Sequence, residues 1–312
     1  MAMSLALMKN LISMMLMVVT GFGIVRVHFL KSADAGPLTK LTAYVLTPCL
    51  ILQAFQRDIT PEQKVGFFAA VAVSALIFAL FILIAGLLRR TGRIDAIDEA
   101  TLIYMNCGNL IMPLVQLTLG EEMVFYSCAI QVLFNLLAWS HGQSLFIGGG
   151  RLRPARLLLN PNVLAILISV ALMLAGIRLP QILMTAVSGF GNMVGPASML
   201  IIGMVIAESD LREVFTMRQA WLINAGRLVV LPLIAMLLLY ATGWLAAHPD
   251  LKPVMLVLFM GAAAPPAATV SQLAVLYQKE PVKASRYNVL GTLLCVVTLP
   301  AMILLFQMLF GA

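Results

Sequence analysis

Apolar residues run along this chain in blocks of about twenty, the length a helix needs to cross a hydrocarbon core of about 30 Å. Short polar stretches separate the blocks. They predict spans near Leu5 to Val25, Leu38 to Phe55, Val65 to Leu88, Ala100 to Leu119, Val124 to Ile147, Pro161 to Gly176, Met184 to Ala207, Gln219 to Trp244, Pro253 to Tyr277 and Asn288 to Phe310. The first block has features of a signal peptide, with Lys9 ahead of most of the apolar run and the small-x-small triplet Ala33-Asp34-Ala35 after it. Arg26 and Lys31 stand between run and triplet, which favours an uncleaved helix.

Two blocks are broken. Asn106-Cys107-Gly108-Asn109-Leu110-Ile111-Met112-Pro113 interrupts the fourth, and Gly261-Ala262-Ala263-Ala264-Pro265-Pro266 interrupts the ninth. Interrupted helices at matching points of two halves point to the binding site of a secondary transporter. The halves are suggested by proline spacing: Pro48 and Pro196, like Pro113 and Pro265, recur at an offset of roughly half the chain. Five spans per half would turn the second half upside down. The expected fold is therefore all-α and integral to the membrane, ten helices in two inverted five-helix repeats, 1–147 and 161–312, joined by a short basic loop, 148–160.

Composition agrees, because a chain 62% apolar and 11% charged cannot be solvated as a soluble globule. Charge adds orientation, since loops rich in lysine and arginine remain cytoplasmic. Arg26, Lys31 and Lys40, then Arg89, Arg90 and Arg93, then Arg151, Arg153 and Arg156, then Arg212 and Arg218, then Lys279, Lys283 and Arg286 all fall in odd-numbered loops. The opposite face holds only Lys9, Arg57, Lys64, Arg178 and Lys252, so both termini are expected outside. This asymmetry accounts for most of the net charge of +7 and leaves a nucleic-acid partner without support. Cys49, Cys107, Cys128 and Cys295 all lie in apolar blocks, which suggests packing residues and neither a disulfide framework nor a metal site.

The order and spacing of several strings carry a family likeness. They are Asn106-x-Gly108-Asn109-x-x-x-Pro113, Asn160-Pro161, Pro196-Ala197-Ser198-Met199-Leu200-Ile201-Ile202-Gly203, and Pro265-Pro266-Ala267 followed by Ala274 and Tyr277. The chain resembles the auxin efflux carrier family, which includes the plant PIN proteins and bacterial permeases for malonate, malate and related acids. The resemblance implies ten helices, a scaffold made from the first two helices of each half, and a transport domain in which the fourth and ninth helices cross. The long hydrophilic loop of many plant members is absent, which favours a bacterial-type permease of the inner membrane.

The breaks also define chemistry on their own account. Proline lacks an amide donor and obstructs the carbonyl four residues back, so Pro113 frees the carbonyl of Asn109, while Pro265 and Pro266 free those of Gly261 and Ala262. Half-helices restarting after each break aim backbone amides at the midplane, a place suited to a carboxylate. Candidate substrate-binding residues are Asn106, Gly108, Asn109, Pro113 and Gln116 from the fourth helix, and Pro265, Pro266, Thr269, Ser271 and Gln272 from the ninth. Close helix packing and interhelical hydrogen bonding are the competing reading of the same residues.

Arg227 is a further candidate, about 12 Å along its helix if that helix begins at Gln219. A buried ionisable group is a functional hypothesis, and snorkelling to the headgroups is its alternative. No Asp or Glu is expected in mid-span, since Glu121 and Glu122 fall in a predicted loop and Glu208, Asp210 and Glu213 at a helix end. His28, His141 and His248 are expected at helix ends, in interfacial positions.

The resulting expectation is a secondary transporter of a mono- or dicarboxylate, not an enzyme, with no cofactor or metal. Its expected partners are a small organic anion and membrane lipid, with a homodimer left open. A non-transporting sensor of the same ligands and an efflux carrier of an amphipathic, auxin-like acid are the alternatives.

Overall fold

The computed structural model describes residues 2–147 and 160–311. The side chains of residues 1–11, Glu208, Trp244 and Ala246, and the expected basic loop with Arg151, Arg153 and Arg156, lie outside the described residues.

Among the described residues the chain is helical, with a single isolated antiparallel bridge. Helix α1 spans Ala2–Arg26, α2 Ser32–Phe55, α3 Pro61–Arg90, α4 Ala96–Ile103, α5 Cys107–Leu119, α6 Glu121–Ile147 and α7 Pro161–Ala175. Then follow α8, Gln181–Ala207, the short α9, Leu211–Thr216, α10, Arg218–Ala241, α11, Lys252–Ala262, α12, Ala268–Leu276, and α13, Pro281–Phe310. Six of these (α2, α3, α6, α8, α10 and α13) are long and apolar enough to cross a membrane. Shorter apolar stretches occupy Ile12–Arg26, α5 and α7.

Local chemistry sets the boundaries. Thr60 and Gln63 form a capping box at the start of α3, and the Asp95 carboxylate accepts the amides of Ile97 and Asp98 at the start of α4. Asn160 caps α7, which ends where Gly176 adopts the left-handed conformation. The last helix begins seven residues before the apolar block suggests, because its first two turns are polar: Lys283 and Tyr287 turn inward onto the buried Asp98. Glu121 and Glu122, read as loop residues, instead form the first turn of α6.

Prolines are accommodated by widened turns. Stretches of π-helix at Thr42–Leu46, Cys107–Ile111 and Gly226–Val230 immediately precede Pro48, Pro113 and Pro232. Each contains the residue four before its proline, so the wider turn relieves the clash between ring and carbonyl.

Small residues bring α1 and α8 into backbone contact. A Cβ added to Gly21 would lie 2.3 Å from the Leu200 carbonyl oxygen, and one added to Gly203 would lie 2.0 Å from that of Val18. Only the missing side chains allow this approach. Elsewhere aromatic packing joins helices, with Phe55 of α2 edge-on to Phe67 of α3 and Phe125 of α6. The outer surface is strongly apolar, as Leu76, Ile182, Val297 and Met308 are all at least 70% exposed. Such a surface suits lipid and not water.

Candidate functional site

The two breaks meet. Between α4 and α5 the backbone of Tyr104, Met105 and Asn106 is extended or irregular, as it is at Pro265, Pro266 and Ala267 between α11 and α12. Met105 and Pro266 form the isolated antiparallel bridge. The Asn106 amide donates to the Pro265 carbonyl at 2.8 Å, and the Ala267 amide donates to the Tyr104 carbonyl at 2.9 Å. Non-helical backbone buried among apolar helices thus satisfies part of its own hydrogen bonding across the crossing.

Neighbouring helices supply further partners. Asn288 of α13 donates to the Pro266 carbonyl at 2.9 Å, and the Ala264 amide donates to the Gly261 carbonyl at 3.1 Å. Asn224 of α10 donates to the Tyr287 carbonyl at 3.1 Å, while a Cβ on Gly291 would lie 2.4 Å from the Pro266 ring. Gly291 is therefore what lets α13 reach the second break.

On the first break, Asn106 is buried and heads the π-helical turn, followed by a half-buried Asn109 and a buried Pro113 that packs beside Gly195. Cys107 donates its thiol hydrogen to Gln131 Oε1 at 3.0 Å, and a Cβ on Gly108 would lie 2.9 Å from both amide atoms of Gln131. Gln131 of α6 is buried and was not among the residues singled out from sequence. Past the second break, Thr269 is half-buried, Ser271 Oγ is buried without a partner, and Gln272 is exposed. Gln116 lies further along α5, where its amide donates to Asn192 Oδ1 at 3.0 Å. Gln53 of α2 donates to the same oxygen at 3.4 Å and to Glu121 at 3.3 Å.

Helices α5 and α12 begin at the crossing without side-chain caps. Backbone carbonyls, not side chains, take the amides of Asn106, Cys107 and Ala267 there, in contrast to the side-chain-capped starts of α3, α4, α7 and α9. Arg227 is 0% exposed, within the π-helical turn of α10. Its neighbour Gly226 packs against Leu102, two residues ahead of the first break, where an added Cβ would lie 3.0 Å from the Leu102 side chain. The guanidinium sits 5.3 Å from the centre of the Phe81 ring, and none of its three nitrogens has a hydrogen-bond partner. An apolar cavity of about 40 Å³, lined by Met14, Val18, Leu110, Met199 and Cys295 among others, lies among α1, α5, α8 and α13.

Two features were not read from the sequence. Buried carboxylates do occur: Asp98 is 0% and Glu99 4% exposed, in the first turn of α4. Asp98 accepts from Tyr287 at 2.7 Å and Gln219 at 2.8 Å and pairs with Lys283 at 3.1 Å, while Glu99 pairs with Arg89 at 2.7 Å. They precede the apolar block, and the spacing Asp95-x-x-Asp98 is a capping signal. At Asp95 itself burial pushes the carboxyl upward, but hydrogen bonds from Lys283 and from backbone amides outweigh it and hold the group below its ordinary value. His141 also lies away from a helix end, on a π-helical turn, with Nδ1 2.8 Å from the Tyr104 hydroxyl.

A helical bundle with an apolar surface and two discontinuous helices crossing in its interior defines the class of polytopic membrane proteins to which broken-helix transporters belong. A family model described as Membrane transport protein matches residues 6–154 and 150–303. The chain belongs to this family of membrane transport proteins, the auxin efflux carrier and PIN-like family, which is one of transporters and not of enzymes. No curated protein matches the chain.

Proposed function

We propose that the protein is a secondary transporter of a small organic anion, a mono- or dicarboxylate, which it binds at the helix crossing and exposes to each side in turn. The observation that carries this reading is the coincidence of two uncapped helix starts and an unpaired, fully buried Arg227 around one crossing. Positive potential from three sources converges where the backbone is unwound. Asn106 and Asn109 supply directional donors there, Gly108 and Pro113 shape the first break, and Pro265 and Pro266 shape the second, with Thr269 and Ser271 behind it. The ten-span, inverted-repeat plan belongs to the same reading, supported by the proline offsets and by the breaks pairing antiparallel. In that plan α1, α2, α7 and α8 form the scaffold and the remaining helices the moving body, within a bacterial inner membrane and with both termini outside.

The test is uptake of labelled malonate, malate and a hydrophobic monocarboxylate into proteoliposomes, under an imposed membrane potential or ion gradient. Saturable uptake that falls at least about tenfold in Asn109→Ala is expected, a loss of about 1.4 kcal/mol of site binding. Binding restricted to neutral or cationic solutes sinks the anion assignment, and carboxylate binding without flux indicates a sensor.

A further inference from the structure

Three of the few cations on the sparsely basic face converge. Arg57, Lys64 and Arg178, far apart in sequence, line one cavity of about 390 Å³ between the ends of α2, α3 and α7. Its floor is apolar, including Phe55, Leu172 and Met173. One acid, Asp58, also lines it, and that carboxylate is committed to Arg178 at 2.5 Å. Arg57 meets an acid only at 3.9 Å, where Glu122 is largely exposed, and its buried Nε has no hydrogen-bond partner. Lys64 has no ion-pair partner among the described residues.

Like charges gathered around a cavity repel one another, and an unsatisfied guanidinium nitrogen carries a desolvation cost. Both are relieved by an anion. Topology does not account for the cluster, because cytoplasmic retention requires positive charge on the opposite face. We propose that Arg57, Lys64 and Arg178 form an anion-binding site at this end of the bundle, distinct from the helix crossing. Its ligand is a small oxyanion, either the phosphate of an acidic lipid headgroup, whose chains would cover the apolar floor, or a free carboxylate or phosphate arriving from solution. Guanidinium and ammonium donors suit either.

The site is tested by isothermal titration of the purified full-length protein in neutral detergent with inorganic phosphate, with malonate and with dioctanoyl phosphatidylglycerol. Binding is expected to weaken about tenfold in Arg57→Gln and in Lys64→Gln, and further as salt is raised. Arg57→Lys and Lys64→Arg should retain it, which separates loss of charge from loss of fold. Binding of the lipid alone assigns the cavity to a headgroup; binding of the free anions assigns it to solute capture. Isotherms that are flat for all three probes, or that are indifferent to Arg57→Gln and Lys64→Gln, overturn the proposal. No flux is measured, so failure of the transport reading leaves this result standing.

Discussion

A guanidinium buried without a partner destabilises the protein that carries it, because its charge has left water and met nothing in exchange. Arg227 is in that position, with only the Phe81 ring face near its charge. Removing the charge should therefore help the ligand-free fold while harming function. Arg227→Met is expected to raise the thermal midpoint of the ligand-free protein by the equivalent of about 1–4 kcal/mol and to abolish the rise that carboxylates produce in wild type. Differential scanning fluorimetry in detergent reads both. A lowered midpoint with an intact carboxylate response would show that the side chain acts through packing, and Arg227 would leave the site. Its candidacy was visible in sequence as an isolated arginine in an apolar block. Its lack of a partner was not, because that depends on which side chains α3, α5 and α13 turn toward it.

At the scale of elements, the contact between α1 and α8 depends on glycines whose spacing alone does not distinguish them. Gly21 and Gly23 are two residues apart on α1, yet an added Cβ at Gly21 overlaps the Leu200 backbone while one at Gly23 meets nothing within 4 Å. Gly21→Ala is expected to destabilise by about 1–3 kcal/mol through overpacking, and Gly23→Ala to be neutral or stabilising by up to about 1 kcal/mol from helix propensity. Urea or thermal denaturation of the pair decides it; equal losses would mean that the two helices do not approach as closely as described. The boundaries and breaks of the helices were legible because proline, glycine and capping side chains act within a few residues of themselves. The polar partners of the crossing were not. Gln131 and Asn288 look like ordinary helix residues until α6 and α13 are placed around the breaks. His141 likewise reads as interfacial by position, and only the packing of α6 against Tyr104 brings it beside the crossing.

For the whole molecule, movement of one body past another requires contacts across their seam to break. On the proposed division into scaffold and moving body, Gln116 of α5 and Asn192 of α8 make such a contact, with Gln53 and Glu121 adjoining it. Joining Gln116→Cys to Asn192→Cys with a short bifunctional thiosulfonate reagent should lower uptake by on the order of tenfold or more, with recovery on reduction, because a tethered seam cannot slide. Each single variant treated with the same reagent sets the baseline, and the further, reduction-reversible loss in the double variant measures the tether. Undiminished flux in the cross-linked double variant would refute motion between these two bodies. Gln116 thus serves two readings, as a site residue from sequence and as a seam residue from its observed partner.

The sequence by itself determined that this chain is a helical membrane protein and where its apolar blocks are broken, because burial in lipid requires long apolar runs and proline disrupts a helix wherever it stands. Tertiary structure alone decided that the two breaks pair through Met105 and Pro266, that Asp98 and Arg227 are buried under opposite circumstances, one fully bonded and one bare, and that Arg57, Lys64 and Arg178 share a cavity. The physical reason is range. Hydropathy and backbone sterics act along the chain, whereas hydrogen bonding, charge pairing and cavities depend on which distant segments are neighbours.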